Sequence, residues 1–134
     1  MYLEILTESE RKIFLDLAHM AMECDGDIAE EELETLRSYE VECRLPNYVR
    51  TKRAEAECLN LLKKSEMSHR RIVLVELMGI WSADGVWADA ELAMMDRVVA
   101  GLGISTALAL RIKRWSREFR EIIADGFRLM MSED

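Results

Sequence analysis

Residues 9–33, SERKIFLDLAHMAMECDGDIAEEEL, return 59 positions later as residues 68–92, SHRRIVLVELMGIWSADGVWADAEL, with nine of 25 positions identical. Unrelated stretches would share roughly one or two, so the chain carries an internal duplication. The shared residues are Ser9/Ser68, Arg11/Arg70, Ile13/Ile72, Leu15/Leu74, Asp25/Asp84, Gly26/Gly85, Ala29/Ala88, Glu32/Glu91 and Leu33/Leu92. They are densest where Asp-Gly is followed, five residues on, by Glu-Leu. Any function is to be sought there first.

Each copy reads as helix, turn, helix. Thr7 and Glu10 have capping-box spacing, and Ile13, Phe14, Leu17, Ala18, Ala21 and Cys24 recur along one helical face. That helix is expected to end at Asp25-Gly26. Ile28, Leu33, Leu36 and then Tyr39 or Cys43 mark a second helix, which must stop before Pro46 because proline disfavours helix in the residue ahead of it. Asn47 to Leu62 reads as a third.

A fourth helix begins at Ser65 or Ser68, and its segment Ile72 to Trp81 is apolar on nearly every side, which predicts a position at the centre of the fold. The fifth follows Asp84-Gly85 through Leu92, Met95, Val99 and Leu102, and Gly101-Leu102-Gly103 supplies a left-handed C-terminal cap. Ser105 caps the sixth. Its residues Leu108, Ile112, Trp115, Phe119 and Ile122 alternate spacings of four and three, while Arg111, Lys113, Arg114, Arg117 and Arg120 occupy the other faces. The expectation is an all-α, single-domain bundle of about six helices over residues 1–134. Two pseudo-symmetric helix-loop-helix repeats, about 7–45 and 66–104, precede a C-terminal amphipathic helix over about 105–126.

Composition narrows the function. A chain of 134 residues, half of them apolar, with one proline and six glycines, is long enough to bury a core of its own. Cys24, Cys43 and Cys58 form an odd count, and Tyr2 to Leu6 is too short and too acidic for a secretory signal. Reduced thiols in a cytoplasm are the expectation. The apolar run from Ile72 to Trp81 falls well short of the roughly 20 residues that span a bilayer, so no membrane insertion is expected. The net charge is -8, and residues 1–45 hold 13 acids against 4 bases while the remainder holds 13 against 14. An acidic first half repels phosphate backbones, so nucleic acid is an unfavoured partner, and cations or basic protein surfaces fit better.

The Asp-Gly loops match the second half of an EF-hand, with an apolar residue two positions after the glycine and Glu six after it. The first half is missing: Ala21 and Glu23 in one copy, and Ile80 and Ser82 in the other, stand where calcium ligands are needed. Neither loop alone supplies six to eight oxygens. Brought together across a pseudo-twofold axis, however, Asp25, Glu32, Asp84 and Glu91 would share one divalent cation, with Asp27 a weaker fifth candidate. A purely structural role stands beside this, in which the glycines supply positive φ and the acids satisfy free N–H groups and helix dipoles.

The paired Asp-Gly loops followed by Glu, set in helices of this pattern, resemble the TerB-like family associated with tellurite resistance. The resemblance covers about Ile13 to Ile123. It implies an all-helical fold, a role in stress or tellurite response, and an acidic site for divalent metal at Asp25, Glu32, Asp84 and Glu91. The chain departs from the family's loop at Ala29 and Ala88, where Ser or Thr often caps the following helix at a gain of about 1 kcal/mol. Asp27 and Asp89 are alternative caps. Ser82 and Val86 leave the second loop poorer in ligands than the first.

Other residues carry weaker signals. His19 and Glu23, four apart, have the spacing to reach one ion, but no second histidine joins them and His19 reads as structural. Acids beside Cys24 raise its thiol pKa and argue against a reactive thiolate. Glu76 interrupts the most apolar helix and is expected to pair with an arginine of the sixth. The basic face of that helix reads as solvated or as a dock for an acidic partner. No Ser-His-Asp order, nucleophile elbow, phosphate-cradling glycine loop or zinc-ligand pair occurs, so no enzymatic activity is expected. The second expectation is a helical protein-interaction adaptor with an unidentified protein partner, whose acidic loops are structural or bind a basic surface.

Overall fold

The backbone N–H of Thr7 donates to Glu10 Oε1 at 2.8 Å and the Thr7 hydroxyl accepts from the Glu10 N–H at 3.2 Å, so the predicted capping box opens helix α1, Glu8–Glu23. In this computed structural model, which describes residues 1–133, α2 spans Glu30–Glu42, α3 Glu55–Leu62, α4 Met67–Trp81, α5 Asp89–Leu102 and α6 Thr106–Met131. A 3-10 turn at Leu3–Ile5 precedes them, and no strand occurs among the described residues. The fold is all-helical, with six α-helices among those residues.

Helix α4 lies at the centre, as its all-round apolarity predicts. Val73, Leu74, Leu77, Met78 and Trp81 are all 0% exposed, and α4 packs against α1, α5, α6 and the N-terminal turn. Burial of that many large side chains, each worth roughly 1.5–3 kcal/mol, makes α4 a major source of cohesion. Against it α1 sets Phe14, Leu15, Leu17 and Ala18, all fully buried, in one continuous core cluster. Glu10 of α1 and His69 of α4, which occupy matching positions in the duplicated stretches, meet at 2.8 Å.

Three boundaries differ from expectation. The third helix begins at Glu55, not Asn47, because Asp16 on α1 is fully buried and claims the intervening segment. Asp16 accepts hydrogen bonds from the Tyr48 hydroxyl (2.9 Å), the Thr51 N–H (3.1 Å) and the Thr51 hydroxyl (2.6 Å), with Arg53 at 3.4 Å. A buried carboxylate must be met by such donors, and a Thr51 N–H given to Asp16 is lost to a helical ladder. Helix α4 starts at Met67 with Glu66 at the N-cap, so neither serine caps it. Helix α6 runs to Met131 rather than ending near residue 126, whereas Ser105 caps it as predicted, accepting from the Leu108 N–H at 3.2 Å. Gly103, at φ 70°, ends α5 in the left-handed cap expected of it.

Candidate functional site

Both Asp-Gly turns are built alike. Gly26 and Gly85 take φ of 147° and 77°, conformations that L side chains rarely adopt, and these let the chain reverse directly after α1 and α4. The caps of the following helices are Ala29 and Ala88, not Asp27 or Asp89: Asp27 lies exposed in the loop, and Asp89 is already the first residue of α5. Alanine has no acceptor to offer, so only half of each capping box exists. That half comes from the shared glutamates. Glu32 Oε1 accepts from the Ala29 N–H at 3.0 Å, and Glu91 Oε1 from the Ala88 N–H at 2.9 Å.

Asp25, Glu32, Asp84 and Glu91 all line one cleft of about 440 Å³, in which Glu31 and Thr35 join them. Asp27 is not among its walls. Burial pushes the Glu91 carboxyl above its ordinary range, and the charges of Asp25, Asp84 and Glu32 add to this against the opposing Ala88 hydrogen bond. Glu91 therefore feels the charge of the other three predicted residues. Asp84 also closes its own turn, Oδ1 accepting from the Val86 N–H at 3.0 Å. Glu32, Asp84 and Glu91 thus each use one oxygen for the backbone and keep a second. As the side chains stand, no three Asp, Glu, His or Cys residues among those described are grouped closely enough to hold a metal. The donors are hard carboxylate oxygens of the kind that suits calcium, magnesium or manganese rather than a thiolate-loving metal.

The remaining candidates take structural places. His19 keeps a buried Nε2 without a hydrogen-bond partner, and its pKa is lowered by burial and then by Arg50. Glu23 is paired with Arg50 and so is not available to share an ion with His19. The Cys24 thiol is pushed up to about 11 by burial and then by Asp25 and Glu91, and its Sγ donates to the Ala21 carbonyl. All three cysteines are free thiols. Glu76 does not pair with an α6 arginine. Its Oε1 accepts from the Tyr2 N–H at 2.9 Å and lies 3.1 Å from the N-terminal ammonium, because the 3-10 turn seats the chain start on α4.

Two features escaped the sequence reading. Asp16 stands within the apolar run Ile13–Ala18, where its counterpart in the second copy is Val75; that mismatch was the available signal. The other is the way α6 cations gather against the second Asp-Gly loop, where Lys113, Arg114, Arg117 and Arg120 line a single cleft with Trp87.

Comparison of the chain with protein-family models, with curated proteins and with solved structures gives no significant match in any of the three. No helix among the described residues is long and apolar enough to cross a membrane.

Proposed function

We propose that the chain is a non-enzymatic, cytoplasmic TerB-like module of the stress- or tellurite-response type, in which Asp25, Glu32, Asp84 and Glu91 hold a divalent cation between the two Asp-Gly loops. The observation that carries this is the convergence of all four carboxylates on one cleft, with Glu91 strained toward protonation by burial and by its three neighbours. Carboxylates gathered without a compensating cation destabilise the fold that holds them, and a divalent ion removes that penalty. Asp27 leaves the proposed set. The pseudo-twofold arrangement of the two repeats belongs to the same reading. It is supported by the contact between the matching residues Glu10 and His69 and by the shared cleft of the matching loops. Tellurite itself is not the proposed ligand, since an anion would meet a negative site.

Calorimetric titration with calcium, magnesium, manganese and zinc at neutral pH tests the reading. A saturable heat that disappears in the double variant Asp25→Asn, Asp84→Asn is expected. Absence of saturable heat with all four metals removes the cation claim.

A second reading, a protein-interaction adaptor, is favoured by α6. At about 1.5 Å per residue its 26 residues reach about 39 Å, against about 22 Å for the 15 of α4 beneath it. Along its last third Ile122, Ile123, Phe127, Leu129, Met130 and Met131 are 59–78% exposed. Neighbouring exposed apolar side chains in this number commonly mark interaction surfaces. On this reading the double change Asp25→Ala, Glu32→Ala weakens capture of a basic partner with no effect of chelator; capture that is unchanged, or that chelator alone abolishes, counts against it.

A further inference from the structure

The loop between α4 and α5 separates two clefts of opposite sign. One is the acidic cleft already described. The other, of about 400 Å³, is walled by Lys113, Arg114, Arg117 and Arg120 of α6 and closed by Gly85 and Trp87 of the loop. Four of the chain's 18 Lys and Arg residues converge on this one concavity although the net charge is -8. Among the described residues Lys113, Arg117 and Arg120 form no ion pair, and Arg114 has only a 3.8 Å contact with exposed Glu118. Like charges held together with no carboxylate in the cleft wall raise the local potential and favour a counter-anion.

The cleft is also built, not merely lined. Lys113 Nζ sits 4.4 Å from the centre of the Trp87 ring, a cation-π contact that fixes the ammonium on the wall. The Arg120 guanidinium rests against the bare backbone of Gly85, where a Cβ would fall 2.9 Å from Nη2. Gly26, in the matching loop, has nothing within 4 Å of the same position. The glycine of the second loop therefore has an arginine packed against it, and that of the first does not. Ser82, which lines the same cleft and is 5% exposed, keeps a buried hydroxyl with no hydrogen-bond partner. Buried hydroxyls are ordinarily satisfied, and this one has no partner within the protein.

We infer that this cleft is a binding site for a compact ligand carrying two adjacent phosphates, held by Arg114, Arg117, Arg120 and Lys113. Three arginines favour phosphate over an isolated carboxylate, because their planar forks meet its oxygens two at a time. Two phosphates match four cations in charge. The volume is that of a small-molecule site rather than a nucleic-acid track, and the charge is confined to one concavity instead of a stripe. The Trp87 face is covered by Lys113, so the ring serves as a wall and cation holder and not as a platform for a stacked base.

Calorimetry with inorganic pyrophosphate, in chelator-treated buffer at low salt, tests the site independently of any metal. Saturable binding is expected, weakened about tenfold or more by Arg117→Gln and by Arg120→Gln. Arg111→Gln, which removes the same charge from α6 outside the cleft, is expected to leave the affinity within about twofold. Circular dichroism of each variant confirms folding before titration. A parallel arm measures co-sedimentation with vesicles containing a phosphoinositide. Pyrophosphate binding with that pattern of variants supports a soluble ligand, and vesicle binding alone with the same pattern supports a lipid headgroup. No binding in either arm up to about 10 mM phosphate groups overturns the inference. So does equal weakening by Arg111→Gln, which reduces the effect to general surface charge.

Discussion

Replacing Glu91 separates two tasks that the one carboxylate performs. It accepts the Ala88 N–H at 2.9 Å, which no alanine side chain can do, and it adds a negative charge to a cleft that already holds Asp25, Asp84 and Glu32. Glu91→Gln keeps an acceptor of the same reach and removes the charge; Glu91→Ala removes both. The hydrogen bond is worth about 1 kcal/mol, and relief of like-charge repulsion at a partly exposed site is on the order of 0.5 kcal/mol. In chelator at pH 7 the glutamine variant should therefore be more stable than the parent by about 0.5 kcal/mol, and the alanine variant less stable by a similar amount. The gap of about 1 kcal/mol corresponds to about 3 °C in Tm for a domain of this size, well within the resolution of thermal unfolding followed by circular dichroism.

The sign of the pH dependence is a second check. The folded-state pKa of Glu91 is raised above its ordinary 4.5, so this carboxyl holds its proton more tightly in the folded than in the unfolded chain. The folded state then loses stability through this group as pH rises through the two pKa values, and recovers it in full only below about 4.5. The advantage of Glu91→Gln must vanish there. A glutamine variant no more stable than the parent at pH 7, or one whose gain persists unchanged at pH 4, refutes the account of crowded carboxylates.

Further outcomes follow from individual contacts. Asp16→Ala should destabilise the protein by about 2–4 kcal/mol in urea, since it strips a fully buried acceptor from Tyr48, Thr51 and Arg53 and leaves their donors unmet. Proteolysis between residues 44 and 54 should accelerate in that variant. Gly85→Ala should cost about 1–2 kcal/mol for the left-handed backbone, and Gly85→Asn should cost less in thermal unfolding because asparagine tolerates that region. With its pKa pushed up to about 11, Cys24 should react with a thiol reagent at pH 8 more slowly, by about tenfold or more, than a thiol of ordinary pKa 9, and unfolding should abolish the protection.

How much was legible in the sequence differs by element. The capping box at Thr7, the Gly103 cap, the Ser105 cap and the central place of α4 were all readable, because each depends on residues within a turn or two of one another. The start of α3 was not. Periodicity over 47–54 permits a helix, and only the buried Asp16, more than thirty residues away, draws that segment into a loop. Glu76 was legible as an acid in need of a partner, but its partner is the chain's own beginning, which the 3-10 turn brings to it.

For the candidate site, the duplication alone singled out Asp25, Glu32, Asp84 and Glu91, since repetition exposes positions that composition hides. Their gathering in one cleft and the exclusion of Asp27 were decided by how α1 and α4 pack, whereas the capping bonds of the two glutamates reach only three residues along the chain and are local. The basic face of α6 was equally visible as a pattern. What turned four of its cations into the wall of a cleft was the second Asp-Gly loop folding against them, with Arg120 resting against the bare backbone of Gly85. Local sequence sets helices, caps and faces because those forces act over a few residues; only tertiary packing sets which charges share a space, because that requires segments far apart in the chain to meet.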